Sequence, residues 1–232
     1  MKEIMEILNN LDWSPLFISI KTGIVATIIS FFLGIYAARK VIKAKPWVKA
    51  VADGILTLPM VLPPTVVGFF LLLLFGKNSM LGAWLMEHGI PVVFSQTGMV
   101  IASAVVSFPL LYRTARGAFE QMDKTLVYAG QTLGLGNGTI FFKIVCPNCL
   151  PVILAGVILA FTRAMGEFGA TIMLAGNIPN KTQTAAIAIY TAMQSGNREL
   201  AFQWALLIVG MSVFFIVLMN VITGRKGGRT WH

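Results

Sequence analysis

LVYAGQTLGLGNGTIFFKIVCP, residues 126–147, is too polar to cross a bilayer and too apolar to be a free tail, and no other long stretch in the second half of the chain has that character. Leu126, Ala129, Gly130 and Leu133 recur at i, i+3, i+4 and i+7, one face of a short helix. Ile140, Phe141 and Ile144 mark the face of a second. Between them Gly134, Gly136 and Gly138 permit a sharp reversal, with Asn137 at its tip, so the stretch reads as two short helices folded into a hairpin. On the residues alone, packing of these faces on the inner ends of a bundle explains them as well as docking of a soluble partner does.

Outward from this stretch the chain is membrane. Its 232 residues are 56% hydrophobic and 12% charged, with mean hydropathy +0.79, against the roughly 45–50% apolar content of a soluble domain. A helix needs about 20 mainly apolar residues to cross a hydrocarbon core of roughly 30 Å. Five windows qualify, 14–38, 54–75, 94–115, 150–174 and 200–222, the third diluted by Ser95, Gln96, Ser103 and Ser107. The fold class is therefore all-α integral membrane, one domain over 1–232 with a polar connection at about 116–147. The amphipathic stretch at 79–90 and the short apolar one at 184–193 are expected to lie at the interface or to re-enter.

Orientation follows from the basic residues, which concentrate on the cytoplasmic side. Arg39, Lys40, Lys43, Lys45 and Lys49 separate the first two spans; Arg113, Arg116, Lys124 and Lys143 separate the third and fourth; Arg225, Lys226 and Arg229 follow the fifth. Lys2, Lys77, Lys181 and Arg198 fall on the other side, which places the N-terminus outside and the C-terminus in the cytoplasm. The head MKEIMEILNN mixes Glu3 and Glu6 with Lys2 and lacks a cleavage site, so it reads as no signal peptide. The net charge of +9 sits beside membrane ends, which points to topology and anionic lipid rather than nucleic acid.

Several residues invite a chemical reading. Arg163 stands about 20 Å along the fourth span if that span starts at Leu150, past the middle of the core. An isolated charge there costs about 2.5–3.5 kcal/mol, so Arg163 and Glu167, at i, i+4, should neutralise one another. The pair either fixes packing or lies on a translocation pathway or its outer gate, and Gly166, Gly169 and Ala170 let another helix approach closely. Pro59, Pro63 and Pro64 interrupt the second span and Pro109 the third, read as a kink for packing or as a break lining a pathway. Cys146-Pro147-Asn148-Cys149 mimics a redox pair without its usual context, and His88 and His232 are isolated, so no metal site is expected. Lys21 can snorkel from the first span, and Lys49 with Asp53 reads as a helix-end pair. No G-x-x-x-x-G-K-[ST] phosphate loop occurs; Gly76-Lys77 is followed by Asn78. Any ATP must be handled by another polypeptide.

The spacing Ala129, Gly130, Gly134, then Ile144, Val145, Cys146, Pro147 resembles the cytoplasmic signature of ABC importer permeases, Glu-Ala-Ala-x3-Gly-x9-Ile-x-Leu-Pro, with Tyr128, Gly130 and Cys146 in place of Glu, Ala and Leu. Leu58-Pro59, Val61-Leu62-Pro63-Pro64 and Gly68, Ser107-Phe108-Pro109, Gly166-Glu167-Phe168-Gly169-Ala170-Thr171 and Asn177-Ile178-Pro179 are similar to the permease subunit of bacterial molybdate transporters, with the sulfate and tungstate permeases close by. The resemblance implies a type I ABC importer permease fold and a homodimer of this chain in the cytoplasmic membrane. It implies two copies of an ABC ATPase subunit that bind ATP and Mg, an extracytoplasmic molybdate-binding protein, and no cofactor or covalent chemistry in this chain. It makes Ala129, Gly130, Gly134, Asn137, Ile140, Phe141, Ile144 and Pro147 an ATPase-coupling loop. Tungstate or sulfate import, an ion-coupled secondary transporter and a membrane enzyme using the two cysteines stand as the alternatives.

Overall fold

The computed structural model describes residues 12–227. The readings made of MKEIMEILNN, with Lys2, Glu3 and Glu6, and of Arg229 and His232 lie outside the described residues. In chain order the helices are α1 (Ser14–Ile42), α2 (Pro46–Val61), α3 (Pro64–Phe75), α4 (Met80–Glu87), α5 (Gln96–Gln121), α6 (Lys124–Thr132), α7 (Asn137–Met165), α8 (Gly169–Ala175), α9 (Ala185–Gln194) and α10 (Arg198–Gly227). No strand occurs among the described residues. α1, α5, α7 and α10 are each long and apolar enough to cross a membrane, and α2 with α3 makes a fifth, broken span bent by 108°.

The bundle is built from small residues inside and large ones outside. α1 buries Ser19, Gly23, Ala26, Ser30, Gly34 and Ala38, whose spacing makes one flat face, while Phe17, Phe32, Leu33 and Tyr36 stay exposed. In lipid, large apolar side chains gain little by leaving the surface, so close backbone approach between small faces is what joins helices. That face lies on α5: a Cβ at Gly34 would stand 3.2 Å from the Tyr112 backbone nitrogen, and the Ser30 hydroxyl donates to the Ala104 carbonyl at 3.2 Å. α7 meets α5 where Gly156 faces Thr114, with only 2.8 Å available to a side chain.

Two expectations require correction. The fourth span does not run over 150–174; α7 begins at Asn137 and stops at Met165, and the apolar residues that follow form the separate α8. The apolar count was continuous because Gly166, Glu167 and Phe168 interrupt the helix without interrupting the hydropathy. The second short helix of the hairpin, in turn, is no separate element but the opening turns of α7, including a π-helical turn at Phe141–Val145. Of the two readings of the second span, a kink or a break, the structure shows a break between two helices. Pro59 is accommodated inside α2, Leu62 and Pro63 are extended, and Pro64 starts α3, where its missing N–H would have been unpaired in any helix.

Of the two stretches expected at the interface, 80–87 forms α4, capped by the Ser79 hydroxyl accepting from Gly82 N–H at 2.8 Å. The other forms α9, which is seated against α1: the Ser19 hydroxyl accepts from Ala185 N–H at 2.8 Å. The α2–α3 and α7–α8 junctions meet each other. A Cβ at Gly68 of α3 would stand 2.8 Å from both Ala170 Cα and Met173 Cβ of α8.

Gly68→Val therefore forces two backbones apart and should destabilise the protein by about 1–3 kcal/mol. Gly54→Ala, where nothing lies within 4 Å, should be neutral or slightly stabilising. Thermal unfolding in detergent micelles checks the contrast, and equal midpoints for the two variants would contradict the packing.

Candidate functional site

The hairpin is built from a short joint, a capped helix and a glycine turn. α5 ends at Gln121 and α6 starts at Lys124, so Met122 and Asp123 alone separate them. Asp123 caps α6, its Oδ1 accepting from Thr125 N–H at 2.8 Å. Hydrogen bonds from the Thr125 side chain and backbone hold its carboxyl below the usual carboxylate range. At the other end Gly134 N–H bonds the Gln131 carbonyl at 2.9 Å and Leu135 N–H bonds Gly130 at 3.0 Å, with Gly134 at φ +73°. This paired bonding with a left-handed residue is the helix-ending motif that glycine adopts without strain. Neither Gly136 nor Gly138 is at positive φ, so one of the three glycines makes the turn.

α6 lies on the first turns of α7 through Gly130, whose absent Cβ would be 3.0 Å from Ile144 Cδ1 and 3.1 Å from Ile140 Cγ1. Gly130 and Ile140 are buried, Phe141 and Ile144 half-buried, and Ala129, Asn137 and Pro147 exposed. The periodic face read from the sequence is thus divided. Gly130 packs inward, whereas Leu133 is 78% exposed and Phe142 71%, with Leu126 and Tyr128 also open. The π turn precedes Pro147, whose ring would crowd the Lys143 carbonyl in a regular helix, and widening the turn relieves that contact. The Asn148 side chain donates to the Ile144 carbonyl at 2.7 Å.

A cluster that the sequence reading missed joins the hairpin's base to the broken span. Arg116 pairs with Asp53 of α2 and, at 3.1 Å, with Glu120. The Tyr112 hydroxyl donates to Asp53, and Lys49 pairs with Glu120. Lys49 and Asp53 therefore do not form the helix-end pair expected of them, because each finds an opposite charge on α5. Tyr112, Arg116 and Glu120 at i, i+4, i+8 near the end of an apolar helix were the available signal.

At the far end of α7, Glu167 sits in the break, 1% exposed, with Oε1 accepting from Ala170 N–H at 2.9 Å and capping α8. Its Oε2 lies 2.5 Å from Arg163 Nη1, an ionic contact without a formed hydrogen bond. Arg163 is 35% exposed, near the end of its helix. The buried Thr171 hydroxyl also lacks a partner among the described residues. Beside this break lies the other. A Cβ at Gly169 would stand 2.9 Å from Pro64 Cβ and 3.1 Å from the Thr65 nitrogen, so Glu167 and Pro64 are brought together by their helices. Pro63 is the extended residue between α2 and α3. Pro59 instead lines an apolar cavity of about 400 Å³ with Ile55, Ile101 and Phe108, next in sequence to the fully buried Pro109.

The remaining candidates are locally satisfied. The His88 ring lies tilted against Trp84 with centroids 4.2 Å apart, its Nδ1 2.8 Å from the Trp84 carbonyl. Both cysteines are free thiols, and Cys149 donates to the Ala118 carbonyl at 3.4 Å. No group of three His, Cys, Asp or Glu among the described residues could hold a metal ion.

Residues 30–226 match the family described as "Binding-protein-dependent transport system inner membrane component". The chain is 42% identical over 210 residues to a putative molybdenum transport system permease protein of Bacillus subtilis, covering 88% of this chain and 92% of that one. It is 38% identical over 228 residues to the molybdenum transport system permease protein of Escherichia coli K12, covering 96% and 100%. A sulfate transport system permease protein of the same organism is 32% identical over 212 residues, covering 91% and 76%. Among solved structures, an inward-facing methionine ABC transporter matches with TM-score 0.69 at 13% identity, covering 91% and 94%. A bacterial alginate ABC transporter in complex with its pentasaccharide-bound periplasmic protein matches with TM-score 0.70 at 14% identity, covering 95% and 82%. The fold is that of type I ABC importer permeases.

Arg163→Ala leaves a nearly inaccessible carboxylate without its counter-charge and should cost about 3 kcal/mol, the low side for buried pairs because Arg163 is partly open. Glu167→Gln keeps an acceptor for Ala170 N–H and should cost less, and the double variant should be more stable than Arg163→Ala alone. Melting curves of the three variants decide this; an Arg163→Ala protein no weaker than Glu167→Gln would dismiss the pair as a stabilising contact.

Proposed function

This chain belongs to the family of inner-membrane components of binding-protein-dependent transport systems, and on that premise we propose that it is the permease subunit of an ABC importer that carries molybdate across the cytoplasmic membrane. The observation that carries the substrate is the near full-length identity of 42% and 38% to molybdenum permeases, against 32% to a sulfate permease. Tungstate, of the same charge and shape, follows the same route.

In this reading the hairpin of α6 and the first turns of α7 faces the cytoplasm, the N-terminus lies outside, and the C-terminus lies inside, as the positions of Lys and Arg support. Leu126, Tyr128, Leu133 and Phe142 offer an ATPase subunit an apolar surface in the midst of polar backbone, the pattern of an interface with a few anchoring side chains. ATP and Mg are bound by that subunit, since this chain has no phosphate loop. Two permease copies and two ATPases make the working unit, and a binding protein delivers the anion from outside. When the ATPases close, the two hairpins are drawn together. Each moves with α5 through the two-residue joint and with α2 through the Arg116 pairs.

A dianion must pass without being held, because a deep site that binds tightly blocks release. Arg163 is one of three basic residues within the expected spans, with Lys21 and Arg113, and Glu167 at 2.5 Å cancels most of its field. The breaks at Pro63 and Glu167 supply the polar backbone at membrane depth that a pathway or gate needs.

Proteoliposomes holding the permease, the ATPase and the cognate binding protein should accumulate labelled molybdate on ATP addition, with tungstate competing. Preferential uptake of sulfate would overturn the substrate. Separately, Gly134→Val places a side chain where φ is +73°, a strain of about 1–2 kcal/mol. It should lower binding-protein-stimulated ATP hydrolysis by about tenfold, as should Leu133→Asp, with membrane insertion intact. Full stimulation in both variants would remove the hairpin from the coupling role.

A further inference from the structure

At the foot of the bundle, between the end of α1, the end of α5, α6 and the start of α7, lies a cavity of about 310 Å³, at the small end of ligand-sized cavities. Arg39 and Lys43 of α1 line one side, and Phe119, Met122, Ile140 and Phe141 the other. The Arg39 guanidinium carbon lies over Phe141, 3.6 Å from the ring centroid, and the side chain is otherwise exposed. Neither cation meets a carboxylate among the described residues: Asp53 is taken by Tyr112 and Arg116, Glu120 by Lys49 and Arg116, and Asp123 by Thr125.

We propose that this cavity binds the phosphate headgroup of an anionic phospholipid, with Arg39 and Lys43 on the phosphate and the apolar wall against the glycerol and the upper acyl chain. Depth and direction both favour a lipid. Tyr36 is about 33 Å from Ser14 along α1 at 1.5 Å per residue, so the helix leaves a hydrocarbon core of roughly 30 Å as it reaches Arg39. Phe32, Tyr36, Arg39 and Lys43 recur at i, i+4, i+7 and i+11, one helix face. Phe32 and Tyr36 are 67% and 64% exposed, so a chain lying along that face delivers its headgroup to the two cations. A free inorganic anion would leave the Met122 and Ile140 wall wet. The proposal goes beyond transport and requires only that the chain spans a bilayer. Its consequence is that a lipid headgroup braces the base of the hairpin, because the wall opposite the cations belongs to α5 and α7.

The assembled transporter, purified in a non-ionic detergent and examined by native mass spectrometry, should retain phosphatidylglycerol and release phosphatidylcholine of the same chains. Arg39→Gln/Lys43→Gln should weaken that retention by about 30-fold, from roughly one interfacial cation's worth of attraction each. Lys45→Gln/Arg113→Gln, an equal charge loss at the same membrane end, should leave it unchanged. Equal loss in both double variants would reduce the effect to diffuse surface attraction and overturn the site, as would equal retention of phosphatidylcholine. Displacement of the lipid by millimolar inorganic phosphate would make it a free-anion site, and lipid bound by the permease alone but not with its ATPase would assign the cations to the docked subunit. Should the Arg39→Gln/Lys43→Gln protein fail to assemble, headgroup-labelled photoactivatable phosphatidylglycerol on the unmodified transporter should crosslink within 39–43 and 137–145, and crosslinks confined to other segments would reject the proposal.

Discussion

A helix end among apolar surroundings leaves backbone N–H and C=O groups with no water to bond, and two helix junctions of this chain are placed against each other. α2 gives way to α3 at Leu62–Pro63 and α7 to α8 at Gly166–Phe168, and the first turn of each second half rests on the other, Pro64 and Thr65 against Gly169, Gly68 against Ala170. Each break is thereby covered by protein rather than lipid, the condition under which irregular backbone survives at membrane depth. Proline and carboxylate solve the termini differently. Pro63 and Pro64 remove donors where a starting helix would have unpaired ones, while Glu167 supplies an acceptor to Ala170 N–H and brings a charge that Arg163 must answer.

The ion pair is consequently tied to the architecture as well as to any passing anion. Glu167 holds α8 at its origin, and α8 in turn carries the residues that contact α3. Moving the pair moves the junction of two broken spans. The unpartnered Thr171 hydroxyl, one turn into α8, marks the same region as one in which polar groups are not fully matched within a single chain.

Apolar content placed the long spans, because α1 and α10 are uninterrupted and nothing competes with burial in lipid. It could not find the end of α7. Gly166 and Phe168 count as ordinary membrane residues, and Glu167 read as an isolated charge to be neutralised rather than as a cap. The proline run was legible as a break but not as a 108° turn, since the angle is set by what α3 packs on. In the hairpin, the turn was legible from its glycines, and only Gly134 needed the left-handed conformation. Which face turned inward was not, because Gly130 can approach Ile140 and Ile144 closely while Leu133, of the same periodicity, cannot reach them. Lys49 and Asp53 illustrate a general limit: i, i+4 spacing offers a partner, and a tertiary contact with Arg116 and Glu120 offers better ones.

The π turn at Phe141–Val145 holds one residue more than a regular helix would over the same rise. A single residue corresponds to about 100° of rotation around a helix axis. The bearing of Leu133 and Phe142 about α7 is therefore an angular setting stored in one residue of chain length, separate from everything that fixes the spans. Loss of that residue would leave the membrane half of the molecule as it is and swing the hairpin away from the foot of α1. Two chains with interchangeable transmembrane halves could in this way hold out plugs that fit different sockets.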